Sequence, residues 1–335
     1  MKVLIYGGGA VGLGIASCLL KSQAQVDIIA GENTVEALRK SGLTRTGIFG
    51  DYHAEPAKFD SYTSLNEIQK QNYDYILVCT KSFDSLEAAQ DLAKHKSVLS
   101  EKTKIVLFQN GWGNAEIFST AFKTHQIYSA RVITGFRRTR PNQVEITVHA
   151  DSIHIGSLFA GDLASIKHLS ELIAKGDIPC VVTDNIEKDL WAKMLYNCAL
   201  NPLGAILDVP YGVLAKNEFT RSIMNGITEE VFNVMTAAGY QTHWHSPKDF
   251  VNVFYNKLIP PTAEHKSSTL QDILAKKKTE IDALNGAVIK LAKEHQIDVP
   301  YNLAVYNIVK FLEAASSQES ITILQQSKIT KSHDS

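Results

Sequence analysis

Short apolar runs alternate with helix-like stretches over the first third of the chain. Predominantly apolar runs occupy residues 2–6, 25–30, 74–80 and 104–108, and a candidate helix follows each of them. One of these helices, NTVEALRKSG at 33–42, begins with an asparagine cap and ends at a glycine. Apolar strands that alternate with helices predict an α/β fold with a parallel, doubly wound sheet.

The pattern changes twice farther along the chain. QVEITVH and SIHIG, within residues 143–156, predict an antiparallel hairpin that ends the α/β domain. From about residue 184 helical periodicity dominates, and its clearest run extends from Thr269 to about His295. We therefore predict an α/β domain, an all-helical C-terminal domain and a disordered polar tail, over residues 1–183, 184–315 and 316–335.

Composition narrows the class of protein. The 335 residues include 34 Lys and Arg against 35 Asp and Glu, so charge does not favour a nucleic acid or an anionic membrane as partner. The four cysteines have no metal-site spacing and lie in apolar runs, which is typical of reduced core thiols. These features predict a cytoplasmic protein without a metal site.

The N-terminus has a second interpretation, a lipoprotein signal that ends in IASC at residues 15–18. The apolar run is interrupted by five glycines and carries one positive charge, which is a poor signal peptide. A strand, a glycine turn and a helix explain it better. Elsewhere we find no apolar run of the roughly 18 residues that a membrane span needs.

The segment IYGGGAVG carries a G-x-G-x-x-G pattern as Gly7, Gly9 and Gly12. It follows a predicted strand and opens a predicted helix, which is the context that dinucleotide binding requires. Such a turn brings a pyrophosphate close to the helix N-terminus, where unpaired N–H groups favour anions. We predict a Rossmann-type cofactor site that also includes Gly8, Ala10 and Val11; a turn that serves only helix packing is the alternative.

Three polar residues follow later strands of the predicted sheet. Glu32 lies 20 residues after Gly12, where an acid binds the ribose hydroxyls of NAD, although it is equally consistent with a plain loop carboxylate. Lys81 follows ILVCT, and Asn110 lies in QNGWGN after IVLF. Ligands bind at strand C-termini in such sheets, so Lys81 and Asn110 are candidate cofactor contacts.

A narrow polar stripe lies on an otherwise apolar helix, LWAKMLYNCALNP at 190–202. Lys193, Asn197 and Asn201 are four residues apart and therefore share one face. A polar stripe is usually a solvated face, but this one is narrow and flanked by apolar residues. The floor of a cleft is the competing interpretation.

SSTLQDILAKKKTEIDALNG, at 267–286, contains two further candidates. Ser268 and Gln271 have the spacing of a capping box, which gives Ser268 a structural role. Glu280 falls at the edge of the apolar stripe of the predicted helix, either at its rim or facing a cleft.

Together these motifs resemble the ketopantoate reductases (2-dehydropantoate 2-reductases). The resemblance covers residues 2 to about 313 and rests on the glycine fingerprint, CTKS, QNGWGN, LWAKMLYNCALNPLGAI and SSTLQD followed by KKKTEIDALNG. It implies an N-terminal Rossmann domain and a helical C-terminal domain.

The resemblance also implies residue roles. Lys193 matches the family's proton donor, Asn197 and Asn201 match its substrate-binding amides, and Ser268 matches a serine that binds the substrate carboxylate. Protonation by an ammonium group fits a ketone reduction, because the alkoxide that develops needs a proton.

The remaining matches concern the cofactor. Glu280 matches a glutamate near the nicotinamide ribose and the catalytic lysine, which makes it a candidate catalytic residue as well as a cofactor contact. Asn110 matches an asparagine that touches cofactor and substrate. Lys81 matches the lysine after the fourth strand.

Three positions depart from the family pattern. Gly31 stands where many relatives carry an arginine for the NADPH 2′-phosphate, so NADP(H) is implied by the family while NAD(H) stays an alternative. Arg39 and Lys40 on the next helix are candidates for a replacement. Tyr211 and His265 stand where relatives carry asparagines, which leaves the substrate's identity open.

We predict NAD(P)H-dependent reduction of a 2-keto acid to a 2-hydroxy acid, with 2-dehydropantoate to pantoate, in pantothenate and CoA biosynthesis, as the preferred reaction. A paralogous reductase of another branched 2-keto acid and a non-catalytic dinucleotide sensor are the alternatives. The expected partner is a small-molecule 2-keto acid, and a homodimer is an open alternative for the assembly.

Overall fold

The computed structural model describes residues 1–69 and 71–316. The chain divides into two compact units, of which the first is Met1–Asp189 and the second begins at Leu190. Apart from Ser316, the tail predicted at 316–335 lies outside the described residues.

The strands of the described residues all belong to the first unit. In chain order they are β1 (Lys2–Tyr6), β2 (Gln25–Ile29), β3 (Leu43–Gly47), β4 (Tyr52–Ala54), β5 (Asp60–Tyr62), β6 (Tyr75–Val78), β7 (Lys104–Leu107), β8 (Ile127–Arg131), β9 (Thr134–Arg140), β10 (Gln143–His149), β11 (Ile153–Gly156) and β12 (Cys180–Val182).

Eight of these strands form the main sheet, in the order β12-β11-β8-β7-β6-β1-β2-β5. From β5 to β8 every neighbouring pair is parallel, and β11 pairs antiparallel with β8. The four strands predicted from apolar runs are β1, β2, β6 and β7, so the parallel α/β prediction is confirmed. Because β1 lies between β2 and β6, the order reverses at β1, and such switch points are where open α/β sheets bind ligands.

The remaining strands form a second sheet in the order β4-β3-β10-β9. Here β10 pairs antiparallel with β9 and parallel with β3. The hairpin predicted within 143–156 is therefore wrong, since β10 and β11 belong to different sheets. The true hairpin partner, β9, has the sequence TGFRRTR, and its arginines hide the strand pattern.

Helices cover the main sheet. They are α1 (Ala10–Lys21), α2 (Glu32–Ser41), α3 (Ser85–Lys94), α4 (Asn114–Ser119) and α5 (Ala164–Lys175). α2 starts two residues earlier than predicted, because Gly31 and not Asn33 is its N-cap, while Gly42 ends it as expected.

α1 is the most enclosed of these helices, with nine of its residues buried. A Cβ on Gly14 would lie 2.3 Å from the Phe136 ring of β9, and one on Gly176, after α5, would lie 2.2 Å from the Cys18 carbonyl oxygen. The buried Arg45 side chain donates to the Gly176 carbonyl at 2.8 Å. Segments distant in sequence therefore close around α1.

From residue 186 onward the described chain is helical. The helices are α6 (Ile186–Leu207), α7 (Tyr211–Lys216), α8 (Glu218–Ala237), α9 (Pro247–Val253), α10 (Ser268–Leu274), α11 (Asn285–Glu294) and α12 (Pro300–Ser316). A π-helical turn at Phe254–Leu258 follows α9.

Short 3₁₀ turns occur in both units, at Pro56–Lys58, Leu65–Glu67, Ser82–Asp84, Lys96–Val98, Thr124–Gln126, Pro260–Thr262 and Ile281–Ala283. None of the described helices is long and apolar enough to cross a bilayer.

The continuous helix predicted from Thr269 to about His295 is wrong. The chain leaves helical geometry after α10, where Lys276 has φ 53°, and becomes helical again only at α11. Between them, the Glu313 carboxylate of α12 accepts hydrogen bonds from the Thr279 backbone N–H and hydroxyl, at 2.7 and 2.5 Å. Ile281 and Leu284 of the predicted apolar stripe are buried from this irregular segment, whereas Leu274 at the end of α10 is 63% exposed, so the stripe is only partly buried.

Candidate active site

The glycine turn after β1 has the geometry that its sequence predicts. Gly7 has φ +115°, and a Cβ there would lie 2.7 Å from the Thr80 amide nitrogen. A Cβ on Gly12 would lie 2.0 Å from the Gly7 carbonyl oxygen, so only glycine allows α1 to pack this closely on the turn. These two glycines fix the shape of the turn.

The middle of the turn is open. Gly9 caps α1, and no atom lies within 4 Å of where its Cβ would be. Ala10 and Val11 begin the helix and are half-buried, and Gly8 packs on Ala30. The first N–H groups of a helix have no intrahelical acceptor. Open space in front of such groups fits a bound pyrophosphate.

Lys81 and Asn110 lie at the C-terminal ends of neighbouring strands. Lys81 follows β6, Asn110 follows β7, and both are half-buried. The Gln109 side-chain amide donates to the Thr80 hydroxyl and to the Lys81 carbonyl, both at 3.2 Å, which ties the two loops together. Since Thr80 also abuts Gly7, the structure brings the glycine turn, Lys81 and Asn110 to one edge of the sheet.

The start of α2 carries the remaining cofactor candidate. Glu32 is the first residue of α2 and is exposed, next to the exposed Gly31. Arg39, a candidate for the 2′-phosphate, donates instead to the Ser61 carbonyl at 2.6 and 3.1 Å and to Glu67 at 3.3 Å. It lies in the last turn of α2, about 12 Å along the helix from Gly31 at 1.5 Å per residue. Arg39 therefore does not replace an arginine at position 31.

On α6 the polar stripe is not a solvated face. Asn197 and Asn201 are only 9% and 3% exposed, and Lys193 is half-buried. Within residues 1–69 and 71–316, no group hydrogen-bonds the Asn197 side chain. The polar atoms of Asn197 and Asn201 are not among the fully buried unpaired atoms of the described residues, so solvent reaches the unpaired ones, and a polar ligand can take the place of that water.

A proline inside α6 anchors this part of the helix. Pro202 has no N–H to donate to the Cys198 carbonyl, and the Asn285 side-chain amide donates to that carbonyl instead, at 3.1 Å. One turn farther on, the Ser267 hydroxyl donates to the Asn201 carbonyl at 3.1 Å. The starts of α10 and α11 are thus fastened to the helix turn that carries the amides.

Asn201 is oriented by an aromatic cluster. The Tyr211 hydroxyl donates to Asn201 Oδ1 at 2.6 Å, and the Tyr211 ring lies 5.4 Å from the His265 ring and 5.8 Å from the Tyr196 ring. Burial raises the pKa of Tyr211 well above its usual value, so its hydroxyl stays a donor. Burial also lowers the pKa of His265, which favours the neutral imidazole. The cluster is uncharged at neutral pH.

The predicted cap of α10 is displaced by one residue. Ser267 is the N-cap, and its hydroxyl accepts from the Leu270 backbone N–H at 3.0 Å, while Ser268 is the first helical residue. Gln271 donates to the Lys266 carbonyl and not to a capping serine. The capping box of Ser268 and Gln271 is therefore wrong, and the Ser268 hydroxyl is not needed as a cap.

Glu280 lies outside the helices. It precedes the 3₁₀ turn Ile281–Ala283 and is 6% exposed. The Glu313 contact at Thr279 fixes the backbone beside it. Glu280 is thus a buried carboxylate on a constrained turn.

Two residues beside the predicted positions were missed from sequence. Gln109 directly precedes Asn110, and its position at a strand end was a usable signal. Arg138 of β9 donates to the Thr34 hydroxyl on α2, a contact that no local pattern predicts, since the two residues are far apart in sequence.

Family models match most of the chain. Residues 3–168 match the model described as Ketopantoate reductase PanE/ApbA, and residues 185–313 match Ketopantoate reductase PanE/ApbA C terminal. Among curated proteins, the 2-dehydropantoate 2-reductase of Aquifex aeolicus is 36% identical over 93% of this chain and 97% of its own length.

Solved structures agree with this likeness. A PanE/ApbA family ketopantoate reductase from Ralstonia eutropha is 28% identical, with a TM-score of 0.81 over 94% of this chain and 99% of that one. A D-mandelate dehydrogenase solved with NADH and anilino(oxo)acetate has a TM-score of 0.84 over 94% of this chain and 99% of that one. At 24% identity, the latter shares the fold alone.

Proposed function

This chain belongs to the ketopantoate reductase family, and we propose that it reduces 2-dehydropantoate to pantoate with a nicotinamide dinucleotide. The observation that carries the proposal is the α6 stripe, in which a lysine precedes two buried amides whose hydrogen-bonding groups are not all satisfied by the protein. The bound dinucleotide supplies the hydride that reduces the carbonyl carbon.

Residues of the first unit hold the cofactor in this proposal. The turn Gly7–Gly12 and the N-terminus of α1 bind the pyrophosphate, for which the open space at Gly9 leaves room. Lys81 and Asn110, at the ends of β6 and β7, contact the cofactor from the same edge of the sheet. Family resemblance alone assigns a cofactor role to Glu280.

Lys193 protonates the product oxygen. As the C2 carbon accepts the hydride, the carbonyl π electrons move to the oxygen, and an O–H bond forms with a proton from the Lys193 ammonium group. The lysine is left neutral and regains its proton from water. Hydrogen bonding of the ammonium to the carbonyl also stabilises the charge as it develops.

The amides and Ser268 position the substrate. The Tyr211 bond occupies Oδ1 of Asn201, so its Nδ2 group is presented as a donor, and no described residue accepts from it. Asn197, one helical turn earlier, offers another amide, and none of the residues that the structure describes hydrogen-bonds its side chain. Because Ser267 caps α10, the Ser268 hydroxyl is available for the substrate carboxylate.

We propose NADP(H) as the preferred cofactor, with measurable use of NAD(H). The family favours NADPH, whereas Gly31 and Glu32 offer no cation to a 2′-phosphate. We also propose a cytoplasmic location, because all four cysteines are buried and unpaired. A homodimer stays a prediction.

A second candidate is reduction of another branched 2-keto acid. The observation that favours it is the Tyr211 and His265 ring pair beside Asn201, which offers an aromatic surface where relatives have amides. Aromatic rings would favour an apolar substituent over the hydroxyl of ketopantoate.

The test is oxidation of NADPH and of NADH, followed by absorbance, with ketopantoate and a panel of hydroxylated, branched and aromatic 2-keto acids. The proposal expects the highest kcat/KM with ketopantoate and NADPH. A higher kcat/KM for an apolar keto acid would support the second candidate. Cofactor binding without turnover of any keto acid would indicate a sensor.

A further inference from the structure

The 2′-phosphate of NADP(H) distinguishes it from NAD(H), and in this fold its subsite lies where β2 ends and α2 begins. In this chain that place holds Gly31 and Glu32. Arg39 donates to Ser61 and Glu67, and Lys40 lies about 13.5 Å along α2 from Gly31 at 1.5 Å per residue. Preference for NADP(H) therefore needs a cation from another element. This reasoning rests on the proposed function.

Strand β9 reaches the start of α2 from the second sheet. It crosses α1 at Gly14, where the Phe136 ring occupies the space of a side chain. Arg138 lies two residues farther along the strand, and alternate residues of a strand share a face. Its guanidinium Nη2 donates to the hydroxyl of Thr34, in the first turn of α2.

Thr34 also borders the glycine turn. A Cβ on Gly8 would lie 3.4 Å from Thr34 Cγ2 and 2.4 Å from the Cβ of Ala30. The guanidinium of Arg138 thus lies beside the residue that packs on both the fingerprint turn and the end of β2. The hydrogen bond to Thr34 thus brings the Arg138 guanidinium to the first turn of α2, next to the end of β2.

We propose that Arg138 binds the 2′-phosphate of NADP(H) and takes the role of the arginine that many relatives carry at the position of Gly31. The side chain is exposed. Its Nη2 donates to Thr34 and to the Pro141 carbonyl, and its Nε donates to the Arg140 carbonyl at 3.4 Å. Within the described chain, Nη1 keeps both its N–H groups without an acceptor. A planar guanidinium held by one edge presents the other to a phosphate.

Arg138 would also offset Glu32. The Glu32 carboxylate at the start of α2 repels a phosphate. The Arg138 guanidinium attracts it, and its hydrogen bond to Thr34 holds it two residues farther along α2. The balance of the two side chains then sets the preference, which explains how one chain uses both cofactors.

Calorimetric titration with adenosine 2′,5′-bisphosphate and with 5′-AMP tests this directly, because the two ligands differ only in the 2′-phosphate. We expect wild type to bind the bisphosphate more tightly. Arg138→Gln should weaken the bisphosphate by about 10- to 100-fold, the scale of a hydrogen-bonded charge pair, and change 5′-AMP less than about twofold. Arg138→Lys should fall between, since it keeps the charge and loses the fork.

Arg137→Gln is the matched control. Arg137 is the neighbouring residue on the opposite face of β9 and pairs with Glu145, so its loss should leave the bisphosphate affinity unchanged. Equal weakening of both ligands by Arg138→Gln, or equal effects at 137 and 138, would overturn the assignment. If wild type binds neither adenosine ligand nor NADPH, the proposed function fails; if it binds them and Arg138→Gln changes nothing, only this inference fails.

Discussion

The Tyr211 hydroxyl donates a 2.6 Å hydrogen bond to Oδ1 of Asn201, and each residue is 3% exposed. If the amide turned over, Nδ2 would donate to the phenol oxygen, and the buried Tyr211 O–H would then have no acceptor among the described residues. The bond therefore decides that Asn201 offers N–H groups, and not an oxygen, to a substrate.

Tyr211→Phe is expected to raise KM for the 2-keto acid by up to about tenfold and to leave kcat within about twofold. The lost bond has a net value of ~0.5–1.5 kcal/mol, and it orients a group that binds ground and transition states alike. Tyr196→Phe is the control, because it removes a hydroxyl that bonds Thr262 at 2.6 Å. Equal increases in KM for the two variants would contradict an orienting role of Tyr211.

Lys193→Ala is expected to lower kcat by about 10²-fold or more, the usual scale for a positioned proton donor. Cofactor affinity, measured by titration, should not change. Lys188→Ala, on the same helix outside the stripe, should retain activity. A kcat near wild type for Lys193→Ala at saturating substrate would remove the lysine from this role.

Ser267 and Ser268 form a matched pair for separating stability from binding. Ser267→Ala removes the cap of α10 and should cost ~1 kcal/mol of unfolding free energy. Ser268→Ala should leave the melting temperature near wild type and raise KM, since the contact proposed for this hydroxyl is with the substrate carboxylate. Thermal melts and steady-state kinetics of both variants test these roles. A lowered melting temperature with an unchanged KM for Ser268→Ala would show that Ser268 has a structural role and not a substrate-binding one.

Cofactor preference should respond to the start of α2. Glu32→Ala is expected to move the ratio of kcat/KM for the two cofactors toward NADPH, because a carboxylate opposes a 2′-phosphate. Gly31→Arg should move it the same way, since no atom lies within 4 Å of the Cβ position and φ is −63°. An unchanged ratio in Glu32→Ala would mean that this carboxylate does not face the ribose.

Stability should fall in mild acid partly through His265. Burial lowers its pKa in the folded state, so below about pH 6.5, the ordinary value, the unfolded chain binds more protons at this site. Stability is thus greatest above that pH and declines as pH falls. His265→Gln should flatten the decline of melting temperature between about pH 7.5 and 5, and an equally steep decline in the variant would assign it to other groups.

Local signals in the sequence were sufficient for the parallel sheet. Strands buried on both faces are predominantly apolar runs, and Gly12 has a local steric reason, since a Cβ there would meet the carbonyl oxygen of Gly7 five residues earlier. The stripe of Lys193, Asn197 and Asn201 could also be predicted from the sequence, because helical spacing alone places the three residues on one face.

The predictions that are wrong concern segments whose structure depends on contacts with residues distant in sequence. The segment between α10 and α11 has a helical apolar period, yet its backbone is not helical, and the Thr279 N–H donates a hydrogen bond to the Glu313 carboxylate of α12. Strand β10 pairs with β3 across a long sequence separation, which no local pattern encodes. Arg138 likewise contacts α2 from a strand that is distant in sequence, whereas the local pattern around Gly31 offers cations only on the next helix.

The enclosure of α1 has a consequence for how this protein is made. Its covering segments, at Phe136 and Gly176, leave the ribosome long after Gly14 and Cys18. Until they emerge, the nascent chain carries an apolar helix and the bare strands beside it, the state in which aggregation and chaperone capture compete with folding. The first unit should therefore acquire its native structure in one late step, and slowly, because its decisive contacts are nonlocal. A ribosome stalled before β9 would hold the complete glycine fingerprint on a chain that has not yet folded around it.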